Sequence, residues 1–411
     1  MKTILIKILI ISIILPVFVF ASRIHGIFSS SAYSFVRADQ ENNESLHIRT
    51  YQSILLTGHD IGLNNSQLSI TGIVYYDPAS DFSNGNHYLT QIYTFNYQKR
   101  LLSNRLRLRV GRHTIYTSSV YGRMDGLSTD YIYKSFNLKV FAGGYIPSTG
   151  ITGDMIDSHL IGSELRWIKD QTMQLSVGLS NKAHGREIYK SKYTYQDIEV
   201  PATIQRRLGI RGYYNRDRIS LSLLARINPS GFDLKDFNTH IDYSHGRIDH
   251  LSFEFKFFEP RIPDNSIFSV FDTYSTKEYR LSTDYKISQN YTGSFQYRIV
   301  QFNDDISQVL NVGVRTKLVY VHYTYQNGYG GASNRISGQI NYQINRNLFF
   351  GRATIGNYKL IEGQWDDIAT YVLGSRIPVH KKIFVQTELQ ILRNKYYNKD
   401  IRLLLNLSYR I

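Results

Sequence analysis

Between residues 105 and 112, basic and aliphatic residues take turns. Arg105, Arg107 and Arg109 alternate with Leu106, Leu108 and Val110, and Arg112 follows. On an extended chain this spacing stacks three guanidiniums on one face, about 6 to 7 Å apart. The chemistry of such a ladder is fixed positive charge, which draws anions and repels cations in a narrow passage of low dielectric. The same alternation puts Arg207, Arg211, Arg218, Arg226, Arg280, Arg315, Arg335, Arg402 and Arg410 on polar faces. Acids on those faces are fewer: Glu164, Asp242, Glu254, Asp284 and Glu388. Arg123 and Asp125 are the charged residues of the stretch after the ladder. Asp125 opposite the ladder would set up a transverse field; Asp125-Gly126 equally fits a turn. The arginines also suit a solvated face or a packing network that holds a loop, and these roles can coexist.

Catalytic chemistry finds little footing. The 12 His are scattered, and His113, His184 and His322 lack a neighbouring Ser/Asp constellation. His240, His245 and His250 recur every five residues, a spacing that changes face along a strand. No phosphate-binding, dinucleotide-binding or H-E-x-x-H motif occurs. With no Cys there is no thiolate metal site, disulfide or lipid-attachment cysteine. The reading is a non-enzyme without cofactor or metal. A hydrolase whose pair forms across distant strands would leave no local motif.

The elements that must position the arginines repeat with period two. In 219–227, Ile219, Leu221, Leu223, Ala225 and Ile227 oppose Ser220, Ser222, Leu224 and Arg226. Segments 251–257, 335–344 and 402–411 alternate in the same way. Such segments fill nearly the whole chain and leave no helices to cover a sheet. Aromatic residues make up 14% of the chain and recur near segment ends, where membrane girdles sit. Tight links (169–171, 215–217, 288–290) alternate with longer ones (78–86, 113–126, 147–157, 181–201, 261–275, 328–333). In hydrocarbon only a closed barrel satisfies a sheet's backbone. An arginine facing lipid near the midplane would cost roughly 2 to 4 kcal/mol, so the arginine faces belong to the lumen. The expectation is an all-β, closed antiparallel transmembrane barrel with an even strand number between 16 and 22, counted at about 22.

Residues 1–21 read as a secretory signal: Lys2 and Lys7, an apolar run from Ile8 to Phe20, and a small-residue site at Val19-Phe20-Ala21. Residues 22–411 then form one barrel. No linker or charge block divides them. The formal charge of +15 would suit nucleic acid or an anionic surface, but a lumen accommodates it too.

Two stretches carry a resemblance. Leu106 to Asp130, reading LRLRVGRHTIYTSSVYGRMDGLSTD, resembles the place in Gram-negative porins where a strand ending in Gly-Arg enters the third external loop. Leu407-Ser408-Tyr409-Arg410-Ile411 is similar to their terminal strand, although porins end in Phe and this chain in Ile. The acidic Pro-Glu-Phe-Gly stretch of the porin constriction loop is absent. The resemblance implies export to the outer membrane and contact with its lipid and lipopolysaccharide. It also implies assembly by the barrel-assembly machinery through the C-terminal strand, and a loop 113–126 that narrows the lumen. It leaves monomer or homo-oligomer open, and nucleic acid is not an expected partner. The function expected is passive diffusion of small hydrophilic solutes, leaning to anions. The alternative is a structural or surface-interaction barrel, an adhesin or receptor, without an open pore. Pore-lining residues would be Arg105, Arg107, Arg109, Arg112, Arg123, Asp125, Glu164, Arg207, Arg211, Arg226, Glu254 and Arg335.

Overall fold

The structure is a computed structural model. It describes residues 21, 23–38, 44–61, 65–78, 87–147, 157–185, 187–190, 197–200, 202–259, 275–329, 331–359, 363–395 and 400–411. The expected signal segment, residues 1–21, lies outside these except for Ala21.

The strands are β1 (Arg23–Ala38), β2 (Glu44–His59), β3 (Ser66–Tyr76), β4 (Tyr88–Leu101), β5 (Leu106–Tyr116), β6 (Tyr121–Tyr133), β7 (Phe136–Ile146) and β8 (His159–Lys169). They continue with β9 (Met173–His184), β10 (Glu187–Lys190), β11 (Asp197–Val200), β12 (Thr203–Arg216), β13 (Ile219–Asn228), β14 (Asp233–His245), β15 (Ile248–Phe258) and β16 (Thr276–Lys286). The last are β17 (Thr292–Phe302), β18 (Asp305–Arg315), β19 (Val319–Asn327), β20 (Ala332–Ile344), β21 (Asn347–Lys359), β22 (Trp365–His380), β23 (Ile383–Arg393) and β24 (Asp400–Arg410). All but β10 and β11 form one 22-stranded antiparallel sheet in which neighbours in sequence pair. β10 and β11 pair only with each other, inside the expected link 181–201.

The sheet closes on itself. β1 pairs with β24 from Ile27↔Arg410 to Phe35↔Arg402, and Ile411 N–H reaches Gly26 O at 3.0 Å. Closure removes the two end edges that an open sheet would expose to hydrocarbon. The outer face is apolar: Leu403, Leu405, Leu407 and Tyr409 are exposed, as are Leu221, Phe253 and Ile340. Their sequence neighbours Arg402, Asn406, Ser408, Ser222, Glu254 and Gln339 point the other way, into the lumen. Among the described residues only a small apolar cluster at β5–β8 lies inside the sheet, so this outward exposure is that of a membrane barrel.

Most short turns gather at one end of the barrel, with the start of β1 and the end of β24. Asp217 and Asn345 take left-handed backbone there, as two-residue hairpin turns require. The longer links reach the other end. One expected boundary is displaced. Arg105 is not a strand residue; it closes the turn after Leu102, donating its N–H to Leu102 O at 3.1 Å. Leu102, Ser103 and Asn104 before it all have positive φ, which fixes a tight reversal.

Candidate functional site

The connection between β5 and β6 does not project outward. Its tip, Thr117-Ser118-Ser119-Val120, is buried and lies inside the barrel. The partners establish this. Ser118 N–H donates to Glu164 Oε2 on β8 at 2.5 Å. Arg226 Nε on β13 donates to Ser118 O at 3.0 Å, and Arg211 Nη2 on β12 to Thr117 O at 3.4 Å. A Cβ on Gly209 of β12 would stand 2.3 Å from Ser118 C. Each of these wall residues alternates with lipid-facing neighbours such as Leu165 and Leu208, so each faces the lumen.

Two devices permit the fold inward. The first is a crease. Gly111, Gly126 and Gly143 sit in register on β5, β6 and β7. Gly111 has φ +104°, and a Cβ on Gly126 would lie 2.5 Å from Gly143 Cα. Only glycine allows backbones to bend and approach this closely. The second is an apolar seat. Ile115, Val120 and Met124 of the hairpin pack on Phe141 of β7 and Leu160 of β8, all at most 2% exposed, with Tyr145 at the margin. His113 is held nearby, its Nε2 2.8 Å from Ser128 Oγ. Beyond Phe95, β4 leaves β5, and Arg112 Nη1 donates to Ile92 O there at 3.1 Å.

The expected lining residues fall into distinct places. Arg107 and Arg109 remain a ladder on β5 just below the crease; Arg109 Nη2 donates to Gln98 Oε1 at 3.0 Å. Arg105 leaves that ladder because it lies in the exposed turn. Asp125 neither forms a turn nor faces the ladder. It sits within β6 and takes both arms of Arg112, Nε at 2.9 Å and Nη2 at 2.7 Å. Arg123 donates to Pro147 O at 3.2 Å and lies over the Tyr93 ring at 5.2 Å. Loop 113–126 is therefore mostly strand, with a connection of residues 117–120.

Arg211, Arg226 and Glu164 converge on the hairpin tip, and Arg207 lies on the same face of β12. Glu164 is also held by Arg166 Nη2 at 2.8 Å. Arg226 pairs with Asp236. Glu254 sits between Lys256 Nζ at 2.7 Å and Arg280 Nη1 at 3.1 Å. The lumen holds more acids than the sequence reading counted. Asp130, Asp236, Glu278 and Asp400 face inward, each beside a basic partner.

On the wall beside the hairpin, Lys139, Arg166 and Arg226 are thus paired with carboxylates, whereas Arg109 and Arg211 bond neutral oxygens. The opposite wall differs. Halfway round the 22-strand ring from β8 lies β21, and on β17 to β21 the inward arginines are Arg298, Arg315, Arg335 and Arg352. Between Tyr291 and Lys359 the only acids are Asp304 and Asp305, at the turn from β17 to β18. None of these four arginines forms an ion pair among the described residues. Arg298 and Arg352 were missed in the sequence because their segments start with glycines and aromatics that blur the alternation.

No family model and no curated protein matches the chain. It is similar to solved outer-membrane proteins at low scores. The P pilus usher (PapC) translocation pore aligns at TM-score 0.46 and 9% identity, over 93% of this chain and 99% of that one. Acinetobacter baumannii OccAB2 aligns at 0.46 and 9%, over 95% and 98%. Pseudomonas aeruginosa OccK2 (OpdF) aligns at 0.43 and 9%, over 95% and 99%. At such scores the likeness fixes neither a solute nor the lining residues.

Among the described residues, the hairpin is what narrows the lumen. A 22-strand ring is too wide for wall side chains alone to fill. Across the described lumen, the hairpin lies on one side and the arginine wall on the other.

Proposed function

We propose that this chain is an outer-membrane diffusion channel for small hydrophilic solutes that favours anions. In this reading it is exported through a signal cleaved after Ala21. One observation carries the anion preference: Arg298, Arg315, Arg335 and Arg352 face the lumen, and among the described residues no carboxylate pairs with them. Their field is not cancelled locally, so it raises anion concentration in the passage and lowers that of cations. Arg107 and Arg109 add to it below the crease. The wide ring, narrowed among the described residues by the β5–β6 hairpin, supports a narrowed channel over a sealed structural barrel.

Reconstitution in a planar bilayer tests the reading. Discrete conductance steps with chloride preferred over potassium are expected. Folded, inserted protein without conductance would favour the surface-interaction barrel instead.

A further inference from the structure

Part of the arginine wall is shaped as well as charged. On the lumen face of β19, β20 and β21, His322, Ser337 and Thr354 lie side by side in register. Arg335 precedes Ser337 by two residues, and Arg352 precedes Thr354 by two. Because β20 and β21 are antiparallel, the same offset sends the two guanidiniums to opposite sides of that row. Each starts about 6 to 7 Å from it along its own strand. The short Ser337 and Thr354 therefore form the floor of a recess whose two rims are arginines.

Neighbouring contacts hold the pieces in this arrangement. Ser337 Oγ and Thr354 Oγ1 lie 2.9 Å apart on the floor. A Cβ on Gly356 would meet Arg335 Cγ at 2.8 Å, so Arg335 leans across the bare backbone of β21. The His322 ring stacks on Tyr320 at 4.9 Å and 22°, and both rim arginines are close enough to act on it electrostatically. Two nitrogens of the group, Arg335 Nε and His322 Nδ1, are buried without a hydrogen-bond partner among the described residues. Carboxylates of the surrounding wall do not answer these charges. Asp366 on β22 pairs with Lys395 at 3.4 Å. Asp284 lies three strands from His322, and Glu388 lies two strands from Arg352.

The geometry favours one kind of anion. Chloride has no directional acceptors and gains nothing from donors set on two rims and a floor. A carboxylate has two oxygens in one plane, and a single guanidinium fork satisfies it. A phosphate group carries close to two negative charges near neutral pH and turns at least three acceptor oxygens in different directions. It can take a guanidinium on each side at once. The Ser337–Thr354 hydroxyl pair has one hydrogen left to donate to a third oxygen.

We propose that this recess is a binding subsite for phosphate groups, held between Arg335 and Arg352 over the Ser337–Thr354 floor with His322 at one side. It deepens the anion-channel reading and rests on that reading only for access from solution.

The test uses the purified, folded barrel in detergent with inorganic phosphate as probe, read by calorimetry at fixed ionic strength, alongside conductance in a bilayer. Wild type should bind phosphate saturably and acetate far more weakly. Arg352→Gln removes one rim. Ser337→Ala with Thr354→Val removes the floor hydroxyls at constant charge. Each should weaken phosphate binding about tenfold or more, the size of one hydrogen bond to a charged group. Arg376→Gln removes another arginine from the lumen side, on β22 opposite Gln386, and should bind phosphate as wild type does. Heat-modifiable gel mobility shows that each variant is folded. Absence of phosphate binding by folded wild type, or acetate binding as tight as phosphate, would overturn the subsite. Equal losses in Arg352→Gln and Arg376→Gln would also overturn it, since a diffuse field would then explain the binding. Chloride-selective conductance without phosphate binding would leave the diffusion reading standing and remove this one. Phosphate binding by a barrel without conductance would do the reverse.

Discussion

Ser118 and Glu164 are 46 residues apart in the chain, yet the Ser118 backbone N–H donates to Glu164 Oε2 at 2.5 Å in a fully buried contact. A carboxylate accepting a backbone N–H is a charge-assisted bond, stronger than a neutral one. Arg166 holds the other oxygen. With Arg211, Arg226 and the apolar seat, this contact holds the β5–β6 hairpin to the wall inside the lumen.

Removing the Ser118–Glu164 contact should widen the passage. Glu164→Ala leaves the Ser118 N–H buried without an acceptor, at a cost of about 1 to 3 kcal/mol. The hairpin should loosen, and single-channel conductance should rise and become noisier. Glu164→Gln keeps an accepting oxygen and should change conductance less. Identical conductance in all three proteins would mean that the hairpin does not limit flow.

Gly209 offers an independent handle on the same element. A side chain there would meet Ser118 backbone at 2.3 Å. Gly209→Val should displace the hairpin tip and raise conductance, with the barrel still inserted. Combined with Glu164→Ala, it should add little, because both changes release one element. Fully additive increases would show that the two residues act separately.

The faces can be read chemically. The chain has no Cys, so single cysteines report cleanly. Labels at Leu221, Phe255 and Ile340 should be shielded from a water-soluble quencher, and labels at Ser222, Glu254 and Gln339 should be quenched. Uniform quenching at the six sites would refute the two-faced barrel.

Much of the barrel was legible in the sequence because period two is a local signal. Leu403 to Ile411 announces its face residue by residue, and the order of long and short links follows from it. The hairpin was only half legible. Its place between β5 and β6 could be read, but its packing could not. Ile115, Met124, Phe141 and Leu160 are apolar residues turned toward the lumen, against the rule that makes apolar mean lipid. The glycines in register, Gly111, Gly126 and Gly143, were the available clue, and register is not visible in one strand alone. Arg105 was misplaced because turn geometry at Leu102, Ser103 and Asn104 overrode an alternation that runs through it. Asp125 was misjudged because its partner, Arg112, lies on the neighbouring strand.

Export and assembly give a fourth expectation. The outer-membrane form should begin at Ser22 by N-terminal sequencing, and deletion of Tyr409 to Ile411 should impair insertion. Ile27 and Phe28 of β1 would then lose their partners on β24. A mature protein that retains Met1, or a truncation that inserts as wild type does, would contradict this.

The central claim is that an uncancelled arginine wall makes the lumen favour anions, and reversal potential under a salt gradient measures it most directly. Wild type should give a potential of the sign set by chloride. The preference should be strongest in dilute salt, because screening acts over roughly 10 Å at 0.1 M. Arg335→Glu with Arg352→Glu should shift the potential towards cations. Adding Arg107→Glu and Arg109→Glu should shift it further, with gel mobility still that of a folded barrel. Arg105→Glu, in the turn, should have the smallest effect of any single change. A reversal potential that stays put when Arg335, Arg352, Arg107 and Arg109 are all reversed would contradict the account.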